Sequence, residues 1–240
     1  MYLDKVYIRF KEDHPDSHNT FAAWEGFKEL GVEVVPYYGF GDVETLKDLG
    51  PKVGIVGYLG DVWAALQLLG LPRPTPIDYP VELASFMGRK VWQTTIGAIR
   101  RTVDPVFIKP MEEKLFTGFI WRGPSIEAVR IATCSDDVPI WASETVTFVS
   151  EHRAYIKDYD VLDVRRYKGD WDVAPNRQVV ENARGTFQSS PRAYSLDFGI
   201  TPEGETLLVE ANDGYALGDY GMRPALYARM LEARWEELTR

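Results

Sequence analysis

Residues 194–212 are the feature that most restricts what this chain can fold into. Two segments, 194–200 and 205–212, alternate apolar and polar side chains, which is typical of half-buried β-strands. The residues between them have Glu203-Gly204 at their centre, which predicts a hairpin with a symmetric loop of two or four residues. Pairing about that loop places Asp197 directly opposite Glu210.

The polar side chains of this hairpin are expected on one face of a sheet. Because alternate residues of a strand point to the same side, Glu210 and Asn212 share a face, and Asp197 joins them from the partner strand. The other face is predicted to be apolar and to consist of Leu196, Phe198, Ile200, Leu207, Val209 and Ala211.

Two carboxylates placed directly opposite each other call for a compensating charge. Their Cβ atoms would lie ~5 Å apart, which destabilises a sheet. Mg²⁺ takes oxygen ligands and commonly uses one or two carboxylates together with phosphate oxygens. We therefore expect a metal site at Asp197, Glu210 and Asn212. The alternative is a solvated face whose acids repel each other weakly, which leaves the Asn unexplained.

The first 80 residues alternate between strand and helix patterns, which predicts a small parallel sheet. Residues 71–80, LPRPTPIDYP, contain four prolines and can form neither a helix nor a central strand. We interpret this segment as a linker and predict an α/β domain over residues 1–80. The predicted strands are 5–10, 32–38 and 52–58, and the predicted helices are 20–30, 43–49 and 61–69.

Residues 81–240 mix strands and helices less regularly, which indicates an α+β arrangement in this part of an α/β protein. We predict it to be a second domain. Its predicted strands are 91–95, 106–109, 145–156, 161–167 and the hairpin, and its predicted helices are 81–88, 178–182 and 223–238.

Composition narrows the range of partners. The formal net charge is −9, and an acidic chain repels nucleic-acid phosphates and anionic lipid surfaces, so neither is expected as a partner. The single cysteine, Cys134, cannot form an internal disulfide. The first ten residues lack the apolar core of a signal peptide, and we expect a cytoplasmic protein. A homodimer is left open.

The hairpin resembles the metal-binding hairpin of the ATP-grasp superfamily. That pattern is a strand with Asp, a turn and a strand ending in Glu-x-Asn, and it stands here as YSLDFGI followed by LLVEANDGYALGDYG. The resemblance covers residues 81–240 and implies an ATP-grasp fold preceded by an N-terminal pre-ATP-grasp α/β domain. It also implies that Asp197, Glu210 and Asn212 hold Mg²⁺ bridging the phosphates of ATP.

Other segments resemble the family's nucleotide site. VFIKP resembles the strand with the nucleotide-binding lysine, here Lys109, which from the residues alone is either an edge residue or one aimed at an anion. The resemblance implies that Glu144, Thr145 and Val146 begin the linker that meets adenine. EHRAY carries Arg153, which is implied to contact phosphate and to act in catalysis with Lys109; a surface ion pair is the alternative.

One segment departs from the family pattern. The loop after Lys109, residues 111–118, nearly lacks the glycines that usually fold over the phosphates, and we expect the Lys114 ammonium to substitute for backbone amides. The lysine that normally comes earlier has four candidate replacements, namely Arg89, Lys90, Arg100 and Arg101.

The resemblance implies an ATP- and Mg-dependent ligase. Such an enzyme activates a carboxylate as an acyl phosphate, which an amine attacks to form an amide or peptide bond. The expected substrate is a small molecule or a peptide. Two alternatives stay open, namely a nucleotide-binding or regulatory protein on a degenerate ATP-grasp scaffold and an ATP-dependent phosphotransferase, because fold alone does not fix chemistry.

Overall fold

The N-terminal sheet is built as the alternating pattern predicts. The structure, a computed structural model, describes residues 2–240. Strand β1 (Lys5–Lys11) pairs in parallel with β3 (Glu33–Tyr37) on one side and β4 (Val53–Val56) on the other, and the two-residue β2 (His14–Pro15) turns back on β1. The predictions missed β2, which is too short to show a pattern.

Helices α1 (His18–Glu29), α2 (Phe40–Val43) and α3 (Leu59–Leu68) connect these strands. Helix α1 begins at a capping box between Ser17 and Thr20 and is followed by Gly31 at φ 76°. The helix predicted over 43–49 is wrong. The Asp42 carboxylate accepts a hydrogen bond from the Tyr38 amide at 2.8 Å, so the helical turn forms earlier in the chain and has ended by residue 44.

The middle sheet contains four antiparallel strands in the order β5-β8-β6-β7. They are β5 (Val91–Thr95), β6 (Val106–Pro110), β7 (Phe119–Trp121) and β8 (Pro139–Ser143). A short 3₁₀ helix (Val81–Phe86) precedes the sheet, α4 (Ile96–Arg100) follows β5, and a second 3₁₀ helix (Ile126–Ile131) follows β7. Its core contains the buried side chains Ile96, Ile108, Trp121 and Ile140.

The third sheet carries the predicted hairpin. Its order is β10-β9-β11-β12, with all neighbours antiparallel, and its strands are β9 (Ser150–Lys157), β10 (Asp160–Gly169), β11 (Ala193–Ile200) and β12 (Thr206–Asp213). Helix α5 (Arg177–Thr186) lies between β10 and β11 in the chain. The strand predicted over 145–156 begins only at Ser150, because residues 144–149 cross from the middle sheet to the third.

The hairpin reaches the predicted register by another route. Its loop is residues 201–205, one more than the symmetric loop expected, so Ile200 pairs with Thr206. A β-bulge at Val209 then restores the pairing of Asp197 with Glu210. The predicted apolar face is therefore partly wrong, because the bulge shifts the strand by one residue. Leu208 is fully buried in the core, whereas Leu207 and Val209 are only partly buried.

The C-terminal helix α6 (Pro224–Thr239) packs on the N-terminal unit. Gly26 of α1 permits this contact, because a Cβ there would overlap the carbonyl oxygen of Pro224. One apolar core contains Phe27 and Leu66 from the first 80 residues together with Tyr155 and Trp235. The mixed α/β fold class is confirmed, and the domain boundary at residue 80 stays a prediction. Across residues 2–240, the helices are too short or too polar to cross a bilayer.

Candidate active site

The polar face of the hairpin brings together the three residues predicted to bind a metal. Asp197 lies opposite Glu210, and Asn212 follows two residues later on the same strand. The Asn212 amide nitrogen lies 3.4 Å from Asp197 Oδ2 and 3.3 Å from Glu210 Oε1. Asp197 is 2% exposed, so one of these carboxylates is almost entirely out of water.

Arg153 on β9 neutralises Asp197. The two residues are paired in the sheet, and the guanidinium donates from Nε to Oδ1 and from Nη2 to Oδ2, both at 2.8 Å. Burial raises the pKa of Asp197, and the Arg153 charge and hydrogen bonds act in the opposite direction. Arg153 is 8% exposed and its guanidinium lies 5.1 Å from the centre of the Tyr220 ring, so the surface ion pair considered for it is wrong.

Lys109 neutralises the second carboxylate. From the penultimate position of β6 its ammonium donates to Glu210 Oε2 at 2.7 Å and to Asp78 Oδ1 at 2.6 Å. Burial acts against the Glu210 charge, yet the Lys109 charge and hydrogen bond keep the pKa of Glu210 below its ordinary value. The lysine is thus aimed at anions inside the site and is not a solvated edge residue.

Asp78 is a site residue that the sequence analysis did not single out. Its carboxylate also accepts a hydrogen bond from Trp141 Nε1 at 3.1 Å, and its carbonyl oxygen accepts the Ala211 amide at 2.8 Å. The proline-rich segment is therefore tied to the hairpin strand. The signal was available, because Asp78 is the only acidic residue in LPRPTPIDYP and lies between Ile77 and Tyr79.

A cleft of about 320 Å³ lies beside Glu210, and we name it the hinge cleft. Glu144, Thr145 and Val146 line it, as do the aromatic side chains of Tyr79, Phe107, Phe119 and Phe148. The Glu144 carboxylate accepts the Lys90 amide at 2.8 Å, which closes the segment onto β5. Burial raises the pKa of Tyr79 to about 12, so its hydroxyl stays protonated. The cleft offers flat apolar walls beside a polar edge.

Among the four candidates for the missing lysine, Arg89 alone lines this cleft. Its guanidinium donates to the carbonyl oxygens of Leu208 at 2.8 Å and Val209 at 2.9 Å, around the bulge of β12. The site in residues 2–240 thus gains an arginine that fixes the hairpin strand from the hinge side. Arg100 lies elsewhere and pairs with Asp136.

A larger cleft of about 450 Å³ lies on the other side of the acidic cluster, and we name it the acceptor cleft. Its walls come from the loops at the carboxyl ends of β1 and β4, from residues 211–220, and from the loop after β6. Lys114 and Glu113 line it, as do Asp78 and Asn212. Lys114 has a positive φ of 68°, so it turns the chain where other family members use glycine.

The donor atoms at the cluster suit Mg²⁺. Within residues 2–240, no group of three or more His, Cys, Asp or Glu side chains could hold a metal ion by itself. The two carboxylates and the amide of Asp197, Glu210 and Asn212 are hard oxygen donors on one face, and Mg²⁺ usually completes its shell with water and phosphate oxygens. The residues therefore fit an ion that arrives with a phosphate ligand.

The sequence matches one protein family over most of this region. The profile of an ATP-grasp domain, the second family of its clade, matches residues 86–230, which is more than half of the chain. This chain belongs to that family. Membership of the ATP-grasp superfamily, which the hairpin motif indicated over residues 81–240, is confirmed. No curated protein matches the chain.

Solved structures share the fold. The chain is similar to the ATP-grasp ligase PsnB complexed with a minimal precursor, with a TM-score of 0.57 and 15% identity over 97% of this chain and 99% of that one. It is also similar to the D-alanine–D-alanine ligase of Bacillus anthracis, with a TM-score of 0.57 and 12% identity over 98% and 96% of the two chains. These similarities confirm the ATP-grasp fold.

Proposed function

We propose that this ATP-grasp protein is an ATP- and Mg²⁺-dependent ligase that joins a carboxylate to an amine. The observation that carries the proposal is the position of the acidic cluster between two clefts. Glu210 lines the hinge cleft and Asn212 lines the acceptor cleft, yet the Asn212 amide lies 3.3 Å from Glu210. A phosphate group bound at the cluster would face both clefts.

The hinge cleft is proposed to hold adenine. Its aromatic walls and the backbone of residues 144–146 suit a flat heterocycle with hydrogen-bonding edges. Glu144, Thr145 and Val146 keep the roles expected for them. The fold of the described residues then directs the phosphates of the nucleotide toward Glu210.

The cationic residues are proposed to stabilise the phosphates. Lys109 and Arg153 now hold Glu210 and Asp197, and an arriving Mg²⁺ could take over those carboxylates and leave the cations to the phosphate oxygens. Lys114, on the wall of the acceptor cleft, would close over the phosphates from the other side. In such a reaction ATP supplies the phosphoryl group, Mg²⁺ neutralises its charge, and the side chains mainly position and stabilise.

Neighbours in the fold support the substrate class. PsnB and the macrocyclase MdnC of Microcystis aeruginosa MRC are seen with precursor peptides, and the Bacillus anthracis enzyme is named for a small amino acid. We propose a peptide or small-molecule substrate here, with ATP and Mg²⁺ as cofactors and a cytoplasmic location.

Product analysis tests the proposal. The protein is incubated with Mg-ATP and a panel of amino acids and short peptides, and ADP and new products are measured. The ligase predicts ADP together with a new amide. ADP with a phosphorylated acceptor would favour a phosphotransferase, and nucleotide binding without turnover across the panel would favour a regulatory protein on the same scaffold.

A further inference from the structure

The acceptor cleft presents one carboxylate that the cluster described above does not use. Four charged side chains line this cleft. Asp78 is held by Lys109, and Asp213 is held by Arg234 through two hydrogen bonds of 2.6 Å. The remaining two are Glu113 and Lys114, both on the loop that replaces the glycine-rich loop of the family.

Glu113 is held in place from one side by a chain of hydrogen bonds. Trp63 Nε1 donates to the Tyr215 hydroxyl oxygen at 3.1 Å, and Tyr215 donates to Glu113 Oε2 at 3.4 Å. An indole nitrogen can only donate, so the Tyr215 oxygen must accept there and its proton is directed to Glu113. The chain joins α3, the loop after β12 and the loop after β6.

The second carboxylate oxygen of Glu113 is left for a ligand. Within residues 2–240, Oε1 has no hydrogen-bond partner, although the residue is only partly exposed and lines the cleft. Burial, and then the nearby Asp78 charge, raise the pKa of Glu113, so this carboxylate has more affinity for a proton or a cation than an ordinary glutamate. An ammonium group fits an oriented, half-buried carboxylate beside a tyrosine.

We propose that Glu113 binds the ammonium group of the acceptor substrate, with Tyr215 as the residue that positions it. The inference rests on the proposed ligase function and adds the acceptor's chemistry, a primary amine that enters as its cation. Asn212 lines the same cleft, so an amine on Glu113 would wait beside the site proposed for the activated carboxylate. Lys114 does not compete with it if, as proposed above, the phosphates hold the Lys114 ammonium.

The experiment compares two probes that differ in one charge. L-alanyl-L-alanine amide carries an ammonium group and no carboxylate, and its N-acetyl form is neutral. Both are titrated into the full chain by calorimetry, with and without Mg-AMPPNP. We expect the nucleotide-loaded parent to bind the cationic probe about tenfold more tightly than the acetylated one.

Three variants locate the preference. Glu113→Gln should bind both probes equally, and Tyr215→Phe should reduce the preference while keeping the ring. Glu112→Gln should retain the preference, because Glu112 is exposed and lines neither cleft. Circular dichroism checks the fold of each variant.

Two results would overturn the inference. One is a Glu113→Gln variant that keeps the tenfold preference, and the other is a parent that binds neither probe or both equally. Binding of Mg-AMPPNP is recorded separately, so a parent that binds nucleotide without preferring the cationic probe refutes the acceptor site alone. Failure to bind Mg-AMPPNP refutes the proposed function.

Discussion

Lys109 and Glu210 are 101 residues apart in the chain, yet the ammonium nitrogen of one lies 2.7 Å from a carboxylate oxygen of the other. The contact joins the middle sheet to the third sheet at the bottom of two clefts. It also explains how the hairpin tolerates opposed acids without a metal, because Lys109 and Arg153 each neutralise one of them. The compensation expected from the sequence is present, and it comes from side chains.

Replacing Lys109 by alanine should affect both stability and nucleotide binding. Glu210 and Asp78 would lose their cation in a partly buried site, and we expect a loss of about 2 kcal/mol in the free energy of unfolding. Binding of Mg-ATP should weaken about tenfold or more, because a charged hydrogen bond to phosphate is lost. Urea denaturation and calorimetry measure the two effects. Lys47→Ala, at an exposed lysine, is the matched control, and unchanged ATP binding in Lys109→Ala would refute the assigned role.

Glu210 and Asn212 should behave as parts of one metal site. Glu210→Gln removes a charged ligand and should weaken Mg²⁺-dependent ATP binding more than Asn212→Ala, which removes a neutral one. The double variant should lose clearly less than the sum of the single losses in free energy, since both changes act on one ion. Magnesium titrations at fixed ATP provide the values. Additive losses would mean that the two residues do not share an ion.

Stability should fall on mild acidification because of His152. This residue is 6% exposed and its Nε2 lies 2.9 Å from Ser150 Oγ, and burial lowers its pKa below the ordinary value of 6.5. The folded state therefore binds fewer protons than the unfolded state, so stability is complete above pH 6.5 and is lost as the pH falls toward the folded pKa.

Urea denaturation at pH 7.5 and pH 5.5 tests this effect. The parent should be less stable at pH 5.5 by about 1 kcal/mol, and His152→Gln should show a smaller difference. Equal pH dependence in the parent and the variant would assign the effect to other groups.

Much of the fold follows from local patterns, and the site follows only in part. Alternation predicted the register of Asp197 and Glu210, but it could not reveal the bulge at Val209 that creates it, since an extra residue in one strand is offset by the longer loop. The partners of these acids could not be predicted either. Asp78 reaches Lys109 only through a bridge between a proline-rich loop and β12, which is a contact of tertiary structure.

The predicted separation at residue 80 shows the same limit. Proline content marks residues 71–80 as irregular, which is correct, but it says nothing about what packs across the segment. Helix α6 returns to α1 through Gly26, 198 residues before Pro224, and the core spans both predicted domains.

Gly26→Ala tests that packing. The new methyl group would overlap the Pro224 carbonyl oxygen, and we expect a loss of about 2 kcal/mol in stability as α1 and α6 move apart. Gly185→Ala in α5 is the matched control, because it has open space around it and should stabilise the helix by about 0.5 kcal/mol. Thermal unfolding of both variants provides the comparison. A Gly26→Ala variant as stable as the parent would rule out the close contact.

The most direct measurement is the melting temperature with Mg-ATP, with ATP and EDTA, and without nucleotide, for the parent and Glu210→Gln. A ligand of the folded state stabilises it by mass action, so saturating Mg-ATP should raise the parent's melting temperature by about 5 °C or more. The rise should shrink when EDTA removes Mg²⁺ and in Glu210→Gln, whose hairpin lacks one metal-binding carboxylate. A folded parent whose melting temperature does not change at millimolar Mg-ATP would contradict the account.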